Sequence, residues 1–157
     1  MRAYRFGSVQ FCTGEPLGTH SGEFGGIRMI CGYLARSFDL LNVRDLDLIA
    51  QSRSLCDSLT LAVLRDDTVE RYLGRPPVVP LTERLELVRH LRGVDEVVVH
   101  HDHEFVENLD RFTVFAVEGE PVFIDHPVAP VLLTAERQTD SWMLQDALRV
   151  DPQSSVA

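Results

Sequence analysis

Three groups of residues in this chain have the types and spacing for chemistry. The first is Arg36-Ser37-Phe38-Asp39, followed closely by Asn42, Arg44 and Asp45. Two guanidiniums that near each other suit a phosphate, because each offers a planar fork of donors. The second is a pair of carboxylates, Asp39 and Asp66, each placed after an apolar run. If those runs are neighbouring strands, the two carboxylates share an edge, repel, and push one pKa up toward general-base use. They can equally be structural, with Asp39 turning the loop and Asp66 anchoring an arginine. The third is His100-His101-Asp102-His103-Glu104, the densest set of ligand-type residues. In an extended chain His101 and His103 lie on one face, which suits catalysis or, with a carboxylate, one metal ion. The alternative is a solvated turn. Ser37 has no His-Asp pattern near it and is not read as a nucleophile.

The elements that must position these residues follow from periodicity. An apolar run over 27–33 reads as a strand and 36–45 as a polar turn. A helix then runs to Arg53, with Val43, Leu46, Ile49 and Ala50 inward, and a second, continuously apolar strand covers 58–64. This is a βαβ unit, whose first turn lies at the carboxyl edge where open α/β sheets bind ligands. Downstream, 72–80 reads as a loop because Pro76, Pro77 and Pro80 interrupt it. A helix follows, capped by Thr82 and marked by Leu81, Leu85, Val88 and Leu91, and Gly93 ends it. Further strands are expected at 95–99, 112–117, 122–124 and 131–133. A last amphipathic helix with Trp142, Leu144, Ala147 and Leu148 is expected to cap the sheet as core packing. The expected organisation is a glycine-rich arm or hairpin over 1–26, one domain over 27–149 and a frayed tail over 150–157.

Composition narrows the functions. The 157 residues and 45% apolar content fit one globular domain. A net charge of −9 argues against a nucleic-acid groove. All fifteen basic residues are arginine, so no lysine can act as base, Schiff-base former or phosphate ligand. Three scattered cysteines, Cys12, Cys31 and Cys56, fit neither a disulfide scaffold nor a zinc site, and point to a reducing, cytoplasmic setting. The amino terminus lacks the apolar stretch of a signal peptide, and no run approaches a membrane span.

Taken in order, these segments resemble the cytidylyltransferases of the glycerol-3-phosphate and phosphoethanolamine type, in the HxGH-motif nucleotidyltransferase superfamily. Residues 36–45, Arg-Ser-Phe-Asp-Leu-Leu-Asn-Val-Arg-Asp, stand where that family has G-T-F-D-L-L-H-x-G-H. Asp57-Ser-Leu-Thr-Leu-Ala-Val with Asp66 is similar to its G-D-x-L-x-V-x-V-x-x-D. Gly74-Arg75-Pro76-Pro77, Glu83-Arg84-Leu85-Glu86-Leu87-Val88 and Val94-Asp95-Glu96-Val97-Val98 are similar to its loop, helix and third strand. The resemblance covers about 27–118. It implies an α/β fold, a Rossmann-like parallel sheet flanked by helices, and a homodimer. It also implies transfer of a nucleotide from CTP or ATP, with magnesium, to a phosphorylated small molecule. By resemblance Arg36, Ser37, Phe38, Asn42, Arg44, Asp45, Arg75 and, in a late segment, Arg137 fall at nucleotide- or phosphate-binding positions, and Asp39 and Asp66 at substrate-facing ones.

The departures fall on that chemistry. The family's two motif histidines stabilise charge developing on the attacked phosphate; here Asn42 and Asp45 replace them. Asn42 still donates a neutral hydrogen bond, but an ionised Asp45 beside a triphosphate is repulsive by ~1 kcal/mol in water and more where water is excluded. The motif glycines are Arg36 and Arg44, and the family's phosphate-binding lysine aligns near Leu73. The two arginines either form a reworked anion pocket or pair with Asp39, Asp45 or Asp66. Three functions stay open. The chain is a degenerate cytidylyltransferase-like protein that still binds a nucleotide or phosphorylated small molecule, or an enzyme running another reaction in the cleft through Asp39, Asp66, Arg36, Arg44 and the 100–103 cluster. Otherwise it is a non-catalytic dimer or hetero-oligomer partner.

Overall fold

The computed structural model describes residues 29–100, 112–123, 129–137 and 139–148. Five strands make one parallel sheet in the order β3-β2-β1-β4-β5: β1 Cys31–Arg36, β2 Ser58–Leu64, β3 Glu96–His100, β4 Phe112–Val117 and β5 Val131–Leu133. Helix α1 spans Val43–Ser54, α2 Asp66–Leu73, α3 Leu81–Arg89 and α4 Ser141–Ala147. The chain steps outward from β1 to β2 to β3, then returns to place β4 on the opposite side of β1. The sheet order therefore reverses between β1 and β4, and the carboxyl ends of those two strands open a crevice.

The sheet is covered unequally. On one face Leu34, Leu59, Leu61, Val63, Phe115, Val117 and Leu133 pack with Leu48 and Ile49 of α1 and Val88 of α3. On the other, Tyr33, Ala35, Ala62, Leu64 and Val114 meet Val69 of α2, with Phe112 and Phe123 alongside. Strand β2 contributes to both clusters, which is why its sequence is nearly all apolar. Gly32 is required by close approach: a Cβ there would lie 2.6 Å from the Phe115 ring and 2.8 Å from the Cys56 sulfur.

Several local expectations are corrected. Strand β1 runs to Arg36, three residues beyond the expected end, because Leu34, Ala35 and Arg36 keep register with Leu61, Ala62 and Val63. In α1 the buried stripe is Asp45, Leu48, Ile49 and Ser52; Val43, Leu46 and Ala50 are exposed. An unforeseen helix, α2, occupies residues given no element or assigned to the loop. Its first turn holds Asp66 and Asp67, and Gly74 closes it at φ 69°. Thr82 does not cap α3: Pro80 is the N-cap residue, and the Leu81 amide meets Asp66 Oδ2 at 3.5 Å. Strand β3 begins at Glu96, since Asp95 turns its carboxylate onto the Leu59 amide at 2.8 Å. Val122 and Phe123 are not in a strand, and Ile124 lies outside the described residues. The expected cover by α4 does not extend to Leu144, Ala147 and Leu148, which are exposed. The arm over 1–26 and the tail from 150 also lie outside the described residues.

Candidate functional site

A cleft of about 580 Å³ opens at the sheet reversal. Its floor comes from the end of β1, its walls from the start of α1, from α2 and from the turn after β4. Arg36, Ser37, Asp39, Asn42, Arg44, Asp45 and Arg75 all line it, so the structure brings seven of the expected site residues together. Tyr72, Phe123, Glu120 and Asp140 also line it and were not anticipated.

The turn from β1 into α1 is tightly specified. Phe38 and Leu40 have φ of 50° and 52°, left-handed values that cost a residue with a side chain about 1–2 kcal/mol each. Phe38 offsets this by burying its ring among Leu34, Leu48 and Phe115 and does not line the cleft. Asp39 is buried between the two, with Oδ2 accepting from the Val78 amide at 3.1 Å and Oδ1 from the Val79 amide at 2.9 Å. Asp66 does not line the cleft; its carboxylate pairs with Arg84 and takes the Leu81 amide. Asp39 and Asp66 do not form a repelling pair: each is held by its own donors.

Arg84 is the residue that ties this edge together. It is fully buried in the apolar stripe of α3. Its guanidinium donates to the carbonyls of Ser37, Leu64 (2.8 Å) and Val79 (2.9 Å) and pairs with Asp66. One side chain thus links the ends of β1 and β2 with the loop before α3. Its place between Leu81 and Val88 was the available signal, but an arginine on a helix gives no hint of which carbonyls it will meet.

At the start of α1 the residues standing at the motif-histidine positions satisfy one another. Asn42 Oδ1 accepts from the Arg44 amide at 2.9 Å, and Asp45 Oδ2 accepts from the Asn42 amide at 3.2 Å. This capping box uses two of the amides that an anion at a helix N-terminus would take. Asp45 Oδ1 also receives Arg36 Nε at 3.2 Å. Arg36 Nη1 reaches Glu120 Oε2 at 2.7 Å, and Arg44 Nη1 reaches Glu120 Oε1 at 2.5 Å. Burial pushes the Asp45 carboxyl above its usual range; Arg36 and the Asn42 amide oppose this, and Glu120 adds to it. Neither arginine meets Asp39 or Asp66. Their shared partner, Glu120, could not be foreseen, because only the strand order brings the turn after β4 beside β1.

Three guanidiniums thus face four carboxylates, those of Asp39, Asp45, Glu120 and Asp140. Tyr72 and Phe123 form an apolar wall, with ring centroids 5.0 Å apart and planes at 89°. Arg137 is exposed and does not line the cleft; its amide meets Asp47 Oδ2 at 3.3 Å. His100 is buried rather than in a solvated turn, with Nδ1 3.2 Å from the Tyr33 hydroxyl and Nε2 3.0 Å from the Phe123 carbonyl. His101 and His103 lie outside the described residues, and among those described no group of three or more His, Cys, Asp or Glu residues is placed to hold a metal. No described helix is long and apolar enough to cross a membrane.

Comparison with known proteins gives a consistent picture. The profile of the cytidylyltransferase-like family matches residues 35–150. An FAD synthase of Pyrococcus abyssi is 37% identical over 73 residues, 46% of this chain and 47% of that protein. One from Thermococcus onnurineus is 38% identical over 88 residues, 54% of this chain and 57% of that one. An ethanolamine-phosphate cytidylyltransferase of Arabidopsis thaliana is 32% identical over 76 residues, 48% of this chain but 18% of its own length. The chain spans about half the length of these FAD synthases. The crystal structure of a lipopolysaccharide core biosynthesis protein from Thermoplasma volcanium shares the fold at a TM-score of 0.51 and 20% identity, covering 76% of this chain and 85% of the other.

Proposed function

The chain belongs to the cytidylyltransferase-like family, and from that premise we propose that it has given up nucleotidyl transfer while keeping its cleft to bind a phosphate-bearing small molecule, either a nucleotide or a phosphorylated metabolite. The observation that supports this is the chain of ion pairs Asp45–Arg36–Glu120–Arg44 over the capped start of α1. Transfer from a triphosphate needs donors aimed at charge that appears only in the transition state. In this cleft the two guanidiniums nearest the helix end are already neutralised, and Asp45 accepts where a donor is needed. A carboxylate beside a polyphosphate costs ~1 kcal/mol in water and several times that where water is excluded. A ligand with a single phosphate and an aromatic or apolar body suits the cleft better, with Tyr72 and Phe123 as the apolar wall.

The test is pyrophosphate release with CTP or ATP and magnesium, using ethanolamine phosphate or a flavin as acceptor, beside thermal shift with the same compounds. We expect no turnover, and a rise in melting temperature with single-phosphate ligands. Sustained turnover would overturn the loss of transfer; no rise with any phosphate-bearing compound would overturn the retained cleft. A homodimer is the second part of the proposal. Strand β5, at the sheet edge, exposes Val131 and Leu132, and α1 exposes Val43 and Leu46.

A further inference from the structure

We propose that Glu120 is an internal stand-in for the ligand's phosphate, and that the ligand binds by exchanging with it between Arg36 and Arg44. The proposal rests on the assignment of the cleft as a phosphate-binding site and says how that site is regulated. Two observations separate Glu120 from its neighbour Asp45. Asp45 is fixed in place: its side chain is 5% exposed, and the α1 backbone and Arg36 both hold it. The Glu120 carboxylate, 26% exposed, is held among the described residues by the two guanidiniums, one oxygen on each. It stands next to Gly119, which takes φ 78° in the turn after β4, and its partly exposed side chain already reaches solvent, so it can turn out of the cleft where the enclosed Asp45 cannot.

A carboxylate spanning two arginine forks makes the same contacts that a phosphate monoester would make. The monoester brings three terminal oxygens and a charge of about −1.5 to −2 near neutral pH, against two oxygens and one charge for Glu120. Exchange therefore gains charge-assisted bonds on the same two arginines. Glu120 nevertheless competes well, because a tethered group acts at an effective concentration on the order of millimolar. The native chain should then hold a single phosphate only weakly. A polyphosphate gains less, since its further charges meet Asp39, Asp45 and Asp140 in the same cleft.

The experiment is calorimetric titration of the full chain and of Glu120→Gln and Glu120→Asp with inorganic phosphate, CMP and ethanolamine phosphate. Glu120→Gln keeps the shape and removes the charge, whereas the shorter side chain of Glu120→Asp cannot reach both arginines. Both variants are expected to bind at least one probe about tenfold more tightly than the native chain. Both should also melt lower in phosphate-free buffer and recover when that probe is added. The probe with the largest gain identifies the source of the phosphate: nucleotide, phosphorylated alcohol or the free ion. If the native chain binds a probe and neither variant binds it more tightly, the exchange is wrong and the phosphate cleft stands. If no protein binds any probe, both fail.

Discussion

Arg84 shows how much of the site's geometry hangs on one buried charge. Its guanidinium satisfies three carbonyls from three segments and pairs with Asp66, whose side chain is 49% exposed. Removing it leaves those carbonyls without a donor in a region that excludes water, at about 1–3 kcal/mol for each buried group left unmade. Arg84→Met keeps the length and loses every bond, so a destabilisation of about 3–5 kcal/mol is expected in urea unfolding. Arg84→Lys should recover little, because one ammonium cannot reach all four partners at their separate angles. A loss below about 1 kcal/mol for Arg84→Met would mean that the loop before α3 is held by other contacts. At this scale the sequence was legible in type and opaque in partner. Arg36, Asn42, Arg44 and Asp45 were identifiable as residues standing where a catalytic motif would be. Only the folded chain shows Asn42 and Asp45 capping each other, and Arg36 and Arg44 sharing Glu120.

The elements divide by how local their determinants are. Strand β2 was legible to the residue because both its faces are covered, and Asp57 before it and Arg65 after it bound a continuous apolar run. Helix α1 was legible in extent, but its inward face was not. The capping box and Arg36 turn Asp45 toward the core, which moves Val43 and Leu46 to the outside. Apolar periodicity alone cannot anticipate that a carboxylate belongs to the buried stripe. The outer side of α1 also anchors the segment after β5. Asp47 Oδ2 takes the amides of Glu136 at 2.7 Å and Arg137 at 3.3 Å, and Gln51 bridges from Asp47 to the Thr134 carbonyl at 3.0 Å. Desolvation pushes the Asp47 carboxyl up, but those amides, Gln51 and the charge of Arg137 together outweigh it and hold it below the usual carboxylate range. A depressed folded pKa means this anchor is at full strength above the ordinary aspartate pKa and weakens as pH falls through the depressed value. Asp47→Ala should speed hydrogen exchange at the Glu136 and Arg137 amides at neutral pH, with little change in β1 or β2. Unchanged exchange there would show that Gln51 alone holds the segment.

For the whole molecule, the decisive feature is the reversal of sheet order between β1 and β4, which carries Glu120 to the arginines of the first turn. Eighty-four residues separate Arg36 from Glu120, and nothing in their local patterns pairs them. The fold class was legible because each element is locally consistent, while the contents of the cleft depend on which strands become neighbours. The same topology leaves β5 at an edge with Val131 and Leu132 outward, the latter 61% exposed. A short apolar edge strand is a ready surface for pairing with another chain, and a second copy of this one supplies the same surface by symmetry. Light scattering should therefore give twice the chain mass of 17.7 kDa. Leu132→Glu, which sets a charge in the middle of the three-residue edge, should shift the protein toward monomer without moving its far-UV spectrum. A native chain that scatters as a monomer across the micromolar range would remove the dimer, and a Leu132→Glu dimer of unchanged affinity would move the interface away from β5.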